Sequence, residues 1–353
     1  MLYIVFYICF SFLLSSCATV IPPSGGEKDT SPPRVIDLLP SNQSVNFTKK
    51  EIVFYFDEYV QIKNQSEINF FPEIKPKPKI KTKGKSIIVE FLADLTPNTT
   101  HIINFNGSIS DLNESNSLEN FQYVFSTGGF IDTCRLSGSI FDLKYNLKKK
   151  GAKIGLFQEK LVENFDSLIR KSKPDYFILS DENGNYSFSN LKSGNYILYG
   201  FKDLNLSGYY ENKEPVSMPI EITIKDSLKA NIPLFIENQF LKKDTLSCLY
   251  KKDSLNMGSI NLNFKKEIYD SGKYLGEIML KDSSVTCFNI NSKIIKIDSL
   301  LTGVYSFKMF EDANGNDFWD SGNIKNLISP EKLFFFGEDI NIKKDWEIDI
   351  FIE

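Results

Sequence analysis

The sequence predicts an all-β protein made of consecutive β-sandwich domains behind an N-terminal targeting segment. Three observations support this fold class. Apolar and polar residues alternate over short runs, as they do in strands that bury one face. Turn-forming residues separate these runs at regular intervals. One pattern of glycine, aromatic and aspartate residues recurs after 109 residues, which is a domain length, and the 353 residues suit two to four domains.

The composition limits the functions that we expect. The net charge is −4, and this balance does not favour nucleic-acid binding, which needs a basic surface. The chain has one histidine, His101, beside Ile102-Ile103 in a strand pattern. We expect it to lie at the surface or to be partly packed. Histidine-based catalysis would depend on this residue alone, so we expect a protein that is not an enzyme.

The N-terminus predicts a secretory signal, because a short apolar run ends in Leu14-Ser15-Ser16-Cys17. This ending resembles the lipobox of bacterial lipoproteins, although the usual basic residues before the apolar run are absent. The resemblance implies cleavage before Cys17, diacylglycerol on its sulfur and acylation of the new amino group. Several acyl chains make a stable anchor in membrane lipid. An ordinary signal peptide with a chance cysteine is the alternative.

Composition and patterning divide the chain into five predicted segments. Pro and Gly between residues 22 and 33 deny regular structure and indicate a spacer. The predicted segments are a lipoprotein signal peptide over 1–16, a lipidated linker over 17–33, and sandwich domains over 34–128, 129–236 and 237–353. The last of these is a degenerate copy of the one before it.

The first domain alternates Ile52, Phe54 and Phe56 onto one face of a strand, and later strands follow the same rule. Several motifs resemble the bacterial Ig-like domain first named from S-layer proteins. They are Ile52-Val53-Phe54-Tyr55-Phe56-Asp57-Glu58, Leu95-Thr96-Pro97-Asn98-Thr99 and Phe125-Ser126-Thr127-Gly128. Such domains usually serve as spacers or adhesive units, so the resemblance implies a role without catalysis.

A repeat relates the second and third domains. Gly194, Tyr196, Phe201 and Asp203 recur at identical offsets as Gly303, Tyr305, Phe310 and Asp312. The run from Asp181 to Leu191, which leads into Gly194, resembles the transthyretin-like module, also called the carboxypeptidase regulatory-like domain. Within this run Asn183-Gly184 predicts a tight hairpin turn. Near the C-terminus, Trp346, Ile348, Ile350 and Ile352 predict a strand with a buried face, which leaves Trp319 as the tryptophan expected at the surface.

Two loops carry oxygen-bearing side chains at positions 1, 3, 5 and 9. They are Asp312, Asn314, Asn316 and Asp320, and Asp203, Asn205, Ser207 and Glu211. This spacing can wrap a hard cation such as Ca²⁺. Position 12, where an EF-hand has a bidentate Glu, holds Asn323 in one loop and Glu214 in the other, and no obvious helices flank either loop. The alternative, which we favour, is an Asx-turn loop whose side chains bond their own backbone.

Other motifs suggest modification or surface properties. Five Asp-Ser/Thr-Leu tripeptides resemble the O-glycosylation pattern of Bacteroidota, with acceptor hydroxyls on Ser167, Ser227, Thr245, Ser254 and Ser299. Alternating lysines from Lys75 to Lys85 predict either a basic stripe for anionic envelope polymers or, as we favour, an edge strand protected from aggregation. Beyond Cys17, the cysteines Cys134, Cys248 and Cys287 allow one disulfide of unassigned pairing or three buried thiols.

The layout is similar to a family of Bacteroidota lipoproteins described only as Ig-like domain-containing. Cys17, the segment 25–33 and the Asp/Asn-rich loops before Trp346 carry this resemblance. It implies an outer-membrane lipoprotein that acts as a structural or protein-interaction module, as an accessory of an assembly or secretion complex with envelope proteins as partners. A carbohydrate-binding surface with glycans as partners is the alternative. The periplasmic face is preferred, since residues 18–20 lack the acidic cluster that resembles a surface-export signal.

Overall fold

The computed structural model describes residues 28–119, 121–158, 164–237, 240–241, 256–280 and 283–352. Strands dominate these residues, and the two α-helices are short: α1 (Phe165–Lys171) and α2 (Lys266–Tyr269). Most strands group into three successive modules of packed sheets. This confirms the predicted all-β class and the tandem sandwiches. The predicted signal peptide and nearly all of the predicted linker, with Cys17, lie outside the described residues.

The first module contains two main sheets. Its strands are β1 (Val35–Leu39), β2 (Glu51–Phe56), β3 (Val60–Ile62), β4 (Asn69–Phe71), β5 (Lys79–Lys83), β6 (Ser86–Glu90), β7 (Thr100–Asn104), β8 (Ile109–Asp111) and β9 (Gln122–Ser126). One sheet has the order β1-β2-β6-β5 and the other β4-β7-β9, while β3 pairs with β8. Ile52, Phe54 and Phe56 are fully buried between the sheets, as their alternation predicts.

The second module is built around its first strand. Its strands are β10 (Cys134–Asp142), β11 (Leu147–Lys148), β12 (Lys153–Phe157), β13 (Tyr176–Leu179), β14 (Asn185–Leu191), β15 (Gly194–Phe201), β16 (Ile220–Ile224), β17 (Ser227–Lys229) and β18 (Ile232–Leu234). β10 pairs antiparallel with β14 and parallel with β17 and β18. The facing sheet has the order β13-β12-β15-β16.

The third module repeats this connectivity. After β19 (Phe240–Leu241) come β20 (Met257–Phe264), β21 (Tyr274–Leu280), β22 (Ser283–Asn289), β23 (Ile294–Leu301), β24 (Gly303–Glu311), β25 (Trp319–Asp320), β26 (Leu333–Phe335), β27 (Ile340–Ile342) and β28 (Glu347–Ile352). β20 pairs antiparallel with β23 and parallel with β28, as β10 does with its neighbours. β21 pairs with β22 and β24, as β12 does with β13 and β15.

The repeat extends to backbone detail. Asn190 and Ser299, which are equivalent, both have positive φ, at 57° and 61°. Each lies where a bulge shifts the register with the central strand. The hydroxyls of Tyr196 and Tyr305 each donate to the carbonyl four residues earlier, at 2.7 and 2.9 Å. The third module thus keeps the positive-φ position and the tyrosine hydrogen bond of the second.

The Asn183-Gly184 turn differs from the hairpin that the sequence predicts. It is tight, and Gly184 has a φ of +70°, as a glycine turn requires. However, β13 before it pairs with β12, whereas β14 after it pairs with β10. The turn therefore carries the chain from one sheet to the other. Local turn chemistry reverses the chain, but burial of the strands selects their partners.

Neighbouring modules share apolar cores. Phe71, Ile102 and Val124 of the first module belong to the buried cluster that fills the second, and the Phe71 ring lies 5.7 Å from that of Tyr176. At the next junction, Ile324 packs with the second module's aromatic residues. Leu143 packs against Phe310 and Trp319 of the third module in a separate cluster. The modules are thus packed in series, and their predicted sequence boundaries stay predictions.

Candidate functional site

The loop after β24 is organised by Asp312, which is 7% exposed. Its Oδ1 accepts hydrogen bonds from the backbone N–H groups of Gly315 and Asn316, at 2.8 and 3.1 Å. Its Oδ2 accepts one from Asp317 at 2.9 Å. The carboxylate thus accepts hydrogen bonds from three consecutive backbone amides of its own loop, as in an extended Asx turn.

The other three predicted ligands join the same loop. The Asn314 Oδ1 accepts from the Asn316 N–H at 3.0 Å. The side-chain amides of Asn314 and Asn316 both donate to Asp320 Oδ2, the second at 2.9 Å. Amide nitrogens therefore face the Asp320 carboxylate, whereas a bound cation would need oxygens at those positions.

The loop after β15 has the same plan. Asp203 Oδ1 accepts from the Ser207 N–H at 3.1 Å, and Oδ2 accepts from Gly208 at 2.8 Å. The Asn205 Oδ1 also accepts from Ser207, at 3.0 Å. Leu206 and Gly208 have φ values of 60° and 86°, and their equivalents Gly315 and Asp317 have 71° and 62°. The two loops therefore share hydrogen bonds and left-handed positions.

A buried or half-buried glutamate closes each loop, in a role that the spacing of residues did not predict. Glu214 accepts from the N–H groups of Leu204 and Glu211, at 2.7 and 2.9 Å. In the second copy, Glu331 accepts from the N–H groups of residues 313 and 320, at 2.8 and 3.0 Å. Burial raises the pKa of Glu331 above its ordinary value. The two glutamates stand at different distances from the aspartates, so the repeat did not reveal them.

The first module contains a related loop at Asp111-Leu112-Asn113. The Asp111 carboxylate accepts three backbone bonds, from Glu114 at 2.6 Å, Ser115 at 2.9 Å and Asn116 at 2.6 Å. Burial pushes the Asp111 pKa upward, but these donors hold it below its ordinary value. The match to Asp203-Leu204-Asn205 could have been found by comparing the two tripeptides.

The hydrogen bonds of these loops are those of Asx turns, in which side chains bond the backbone of their own loop. This is the alternative that the sequence favoured. Within the described part of the chain, no group of three His, Cys, Asp or Glu side chains gathers in a way that could hold a metal ion. The Ca²⁺ hypothesis for the loops stays a prediction.

The predicted lysine stripe forms part of an edge strand. Lys79, Lys81 and Lys83 lie on β5, which among the described strands pairs only with β6, at the end of its sheet. Lys81 forms an ion pair with Glu90 on β6. The remaining lysines of the run lie outside the strand, and Lys85 donates to the carbonyl of Asp57 at 2.6 Å. This placement confirms the edge-strand interpretation, and contact with anionic polymers stays a prediction.

Three aromatic residues are placed differently from expectation. His101 is 2% exposed and stacks on Phe125 at 5.2 Å, so it is neither at the surface nor partly packed. Burial lowers its pKa to about 4. Trp319, expected at the surface, is 1% exposed, and its Nε1 donates to the Glu331 carbonyl at 2.9 Å. Trp346, expected in the core, is 57% exposed under the Lys343 ammonium.

The predicted modification sites fall in different settings. Ser167 is half-buried in α1, whereas Ser227 on β17 and Ser299 on β23 are exposed. Thr245 and Ser254 lie outside the described residues, as does Cys248. Glycosylation of all five positions stays a prediction.

Cys134 is a buried free thiol whose pKa is raised by burial, and Cys287 is half-buried. No disulfide links these two cysteines, and any pairing with Cys248 lies outside the described residues. No helix within the described ranges has the length and apolar character needed to cross a membrane.

A polar hub fixes the junction between the second and third modules, and no sequence pattern marked it. Glu237 accepts from the Tyr210 hydroxyl at 2.8 Å and from the Ile324 N–H at 2.7 Å. The Arg170 guanidinium lies 3.9 Å from the Glu237 carboxylate and 4.5 Å from the Tyr210 ring centre. Burial is the main cause that raises the Tyr210 pKa, and the hydrogen bond to Glu237 raises it further. The hub joins both modules through one carboxylate.

Residues 29–127 match a family model described as a bacterial Ig-like domain. The match covers the first module and supports the resemblance that the sequence suggested for 34–128. No curated protein matches the chain.

Several solved structures are similar to the chain. The minor pilin GBS52 of Streptococcus agalactiae has 13% identity and a TM-score of 0.22, over 62% of this chain and 94% of that one. A DUF3823 family protein from Bacteroides uniformis has 9% identity and a TM-score of 0.21, over 60% and 99%. An L,D-transpeptidase from Mycobacterium smegmatis has 11% identity and a TM-score of 0.20, over 55% and 76%. At these TM-scores the similarities support no statement about function.

Proposed function

We propose that this chain is a lipid-anchored, non-catalytic scaffold of a bacterial outer membrane, held by acyl chains on Cys17 and facing the periplasm. In this proposal it presents sheet edges and loops to envelope proteins, as an accessory of an outer-membrane assembly or secretion complex. The lipobox-like ending at Cys17 supports the anchor. The Ig-like match over residues 29–127 supports a structural role.

The observation that carries the scaffold proposal is the packing at both junctions. Apolar residues of adjacent modules belong to common buried clusters. A hydrophobic interface between domains restricts their relative motion, which flexible linkers would allow. A stiff series of modules behind a tether can hold a partner at a fixed distance from the membrane. The burial of His101 supports the absence of histidine-based catalysis.

A comparison of wild type with Cys17→Ser in a bacterial host tests the anchor. We expect wild type to sediment with outer membranes and to begin with an acylated Cys17 by intact mass. The Cys17→Ser chain should lose both properties while keeping its β-sheet circular dichroism. A wild-type protein without acyl mass that stays in the soluble fraction would contradict the anchor.

Affinity purification with the Cys17→Ser chain as a soluble control tests the scaffold role. Wild type cross-linked in intact cells should recover the same outer-membrane proteins in repeated experiments, and the soluble form should not. Recovery of the chain by itself would count against a partner complex.

A glycan-binding surface is the second candidate, and exposed aromatic residues on β28 and just before it favour it. Trp346 is 57% exposed and Phe351 is 68% exposed. Exposed aromatic rings can stack on sugars, although Lys343 covers one face of the Trp346 ring at 4.5 Å. A glycan array with wild type and Trp346→Ala tests this function. Binding that Trp346→Ala abolishes would support it, and no binding by wild type would exclude it for the glycans tested.

A further inference from the structure

The outer face of the sheet β4-β7-β9 is turned toward the second module. Three cross-strand neighbours on this face belong to the apolar cluster of the second module, namely Phe71, Ile102 and Val124. Side chains two positions apart on a strand point to the same face. The next row of neighbours on this face is therefore Asn69, Asn104 and Gln122. An apolar row at the junction is thus followed by a row of carboxamides.

This carboxamide row leads into an open cleft of about 780 Å³ between the first two modules. Asn104 and Gln122 line one wall, and Leu179, Asp181 and Asn185 line the wall that the second module contributes. The apolar row beside the cleft packs the two modules together, which keeps the two walls in fixed positions. Ligand sites of this size occur preferentially at interfaces between domains.

The charged side chains of the second module's wall have partners of their own. Asp181 Oδ1 accepts hydrogen bonds from the N–H groups of Asn183 and Asn185, at 2.9 and 2.8 Å. Glu182 forms an ion pair with Lys150. These bonds hold the wall in shape and leave its carboxylates partly or fully occupied.

The first module's wall carries polar groups that have no partner among the described residues. Asn104 is 5% exposed, and its Oδ1 accepts from the Asn106 N–H at 3.1 Å. Its Nδ2 has no acceptor within the described part of the chain. The half-buried Gln122 carboxamide and the exposed Glu119 carboxylate of the same wall are also unpaired there. Because a nearly buried amide that stays unpaired costs free energy, this wall gains from a ligand that accepts its hydrogen bond.

We propose that this cleft binds a neutral saccharide through Asn104, Gln122 and Glu119. A carboxamide both donates and accepts hydrogen bonds, and a carboxylate accepts them. Adjacent hydroxyls of a sugar can therefore accept from the two amides while they donate to Glu119 and to the Gln122 carbonyl. The exposed side chain of Leu179, on the opposite wall, can lie against the apolar face of the sugar ring.

Charge and shape favour a neutral saccharide over other ligands. The described lining contains three carboxylates and one ammonium group, those of Glu119, Asp181, Glu182 and Lys150. An anionic polymer would therefore be repelled. The centre of a protein interface is usually a buried apolar or aromatic patch. Among the described residues of this cleft, Leu179 is the one large apolar side chain that is exposed, which does not suit a protein partner.

An array of neutral and acidic oligosaccharides, probed with the full chain in detergent, tests the proposal. We expect neutral oligosaccharides to bind. Gln122→Ala and Glu119→Gln should each weaken this binding about tenfold in calorimetry, which corresponds to the loss of one hydrogen bond. Gln158→Ala, which removes an exposed carboxamide of the second module outside the cleft, is the matched control and should bind as wild type does. Binding of acidic oligosaccharides alone, or no binding by wild type, would overturn the proposal.

Two further variants locate the ligand. Ser187→Trp puts a large ring on the exposed second-module wall of the cleft and should abolish binding, with unchanged circular dichroism. Wild-type binding by Ser187→Trp would show that the ligand lies elsewhere. Loss of binding in Trp346→Ala, together with wild-type binding in Gln122→Ala, would assign the ligand to the third module and overturn this site. The proposal does not depend on the anchor at Cys17, so its failure would leave the scaffold role untouched.

Discussion

The second and third modules place chemically different side chains at one equivalent pair of strand positions. Gly155 faces Tyr199 across β12 and β15, and Tyr199 is 1% exposed between aromatic neighbours. The equivalent pair across β21 and β24 is Glu277 and Lys308. Their charged groups lie 2.8 Å apart, and Lys308 is 1% exposed. One module thus buries an aromatic ring where the other buries an ion pair.

A neighbouring pair exchanges large and small residues. Ile154 faces Gly200 in the second module, whereas Gly276 faces Met309 in the third. The glycine changes strand, so the summed volume of each pair is similar. Close packing requires such compensation. The two copies have therefore kept strand register and burial, while the chemistry of individual side chains has diverged.

The largest effect should come from breaking the ion pair. Glu277→Ala leaves the Lys308 ammonium buried without its partner, and we expect the free energy of unfolding to fall by about 3–5 kcal/mol. Urea unfolding followed by circular dichroism measures this change.

The second module supplies the matched control. The double variant Glu277→Gly with Lys308→Tyr places the glycine and tyrosine of the second module at these positions of the third. We expect it to recover most of the free energy of unfolding that Glu277→Ala loses. A double variant no more stable than Glu277→Ala would show that the two sites are not interchangeable.

The aspartates of the two loops should stabilise the protein by different amounts. Asp312 accepts three backbone bonds and Asp203 accepts two. Because each lost bond leaves an amide without its acceptor, Asp312→Ala should cost about 2–3 kcal/mol and Asp203→Ala about 1–2 kcal/mol. Thermal unfolding measures both, with the exposed Glu338→Ala as control. The opposite order of losses would mean that the loops are stabilised by other contacts.

A smaller effect should follow from exchanging the residues at the loop tips. Leu206 is 86% exposed and keeps a φ of 60°, where its equivalent Gly315 has 71°. The left-handed conformation costs a leucine about 1 kcal/mol. Glycine avoids this cost, but it loses more chain entropy on folding, which offsets part of the gain. Leu206→Gly should stabilise the protein by about 0.5 kcal/mol, and Gly315→Leu should destabilise it by about 1 kcal/mol. If Leu206→Gly is destabilising in urea titrations, the leucine has a packing role.

The smallest effect should be that of Ca²⁺. Because the loop aspartates already bind backbone amides, we expect calorimetry to detect no heat when Ca²⁺ is added to wild type. Asp312→Ala serves as the control. Heat that is present in wild type and absent in Asp312→Ala would establish a cation site in the later loop.

Much of the fold could be predicted because its information is local. Alternation placed Ile52, Phe54 and Phe56 in a core, and the offset of 109 residues identified two equivalent modules. The burial of His101 could have been predicted as well. It shares the parity of Ile103 and Phe105, and both of these residues are buried.

The remaining features depend on contacts distant in sequence. Trp319 is buried because it packs at a junction of modules, and Trp346 is exposed because it precedes the strand whose face is covered. The hydrogen-bond partners of Glu331 and Glu237 lie at sequence distances that follow no period. The ion pair of Glu277 and Lys308 becomes apparent only when the register of β21 and β24 is known.

The most direct test of the scaffold account measures whether the second and third modules unfold together. Trp346→Phe in the full chain in detergent leaves Trp319, at the junction, as the fluorescent reporter. Gly138→Ala then destabilises the second module, since its new Cβ would lie 1.6 Å from the Ala230 carbonyl oxygen. The account predicts that the Trp319 transition moves to lower denaturant together with the loss of the second module. A Trp319 transition that stays in place while the second module unfolds would contradict it.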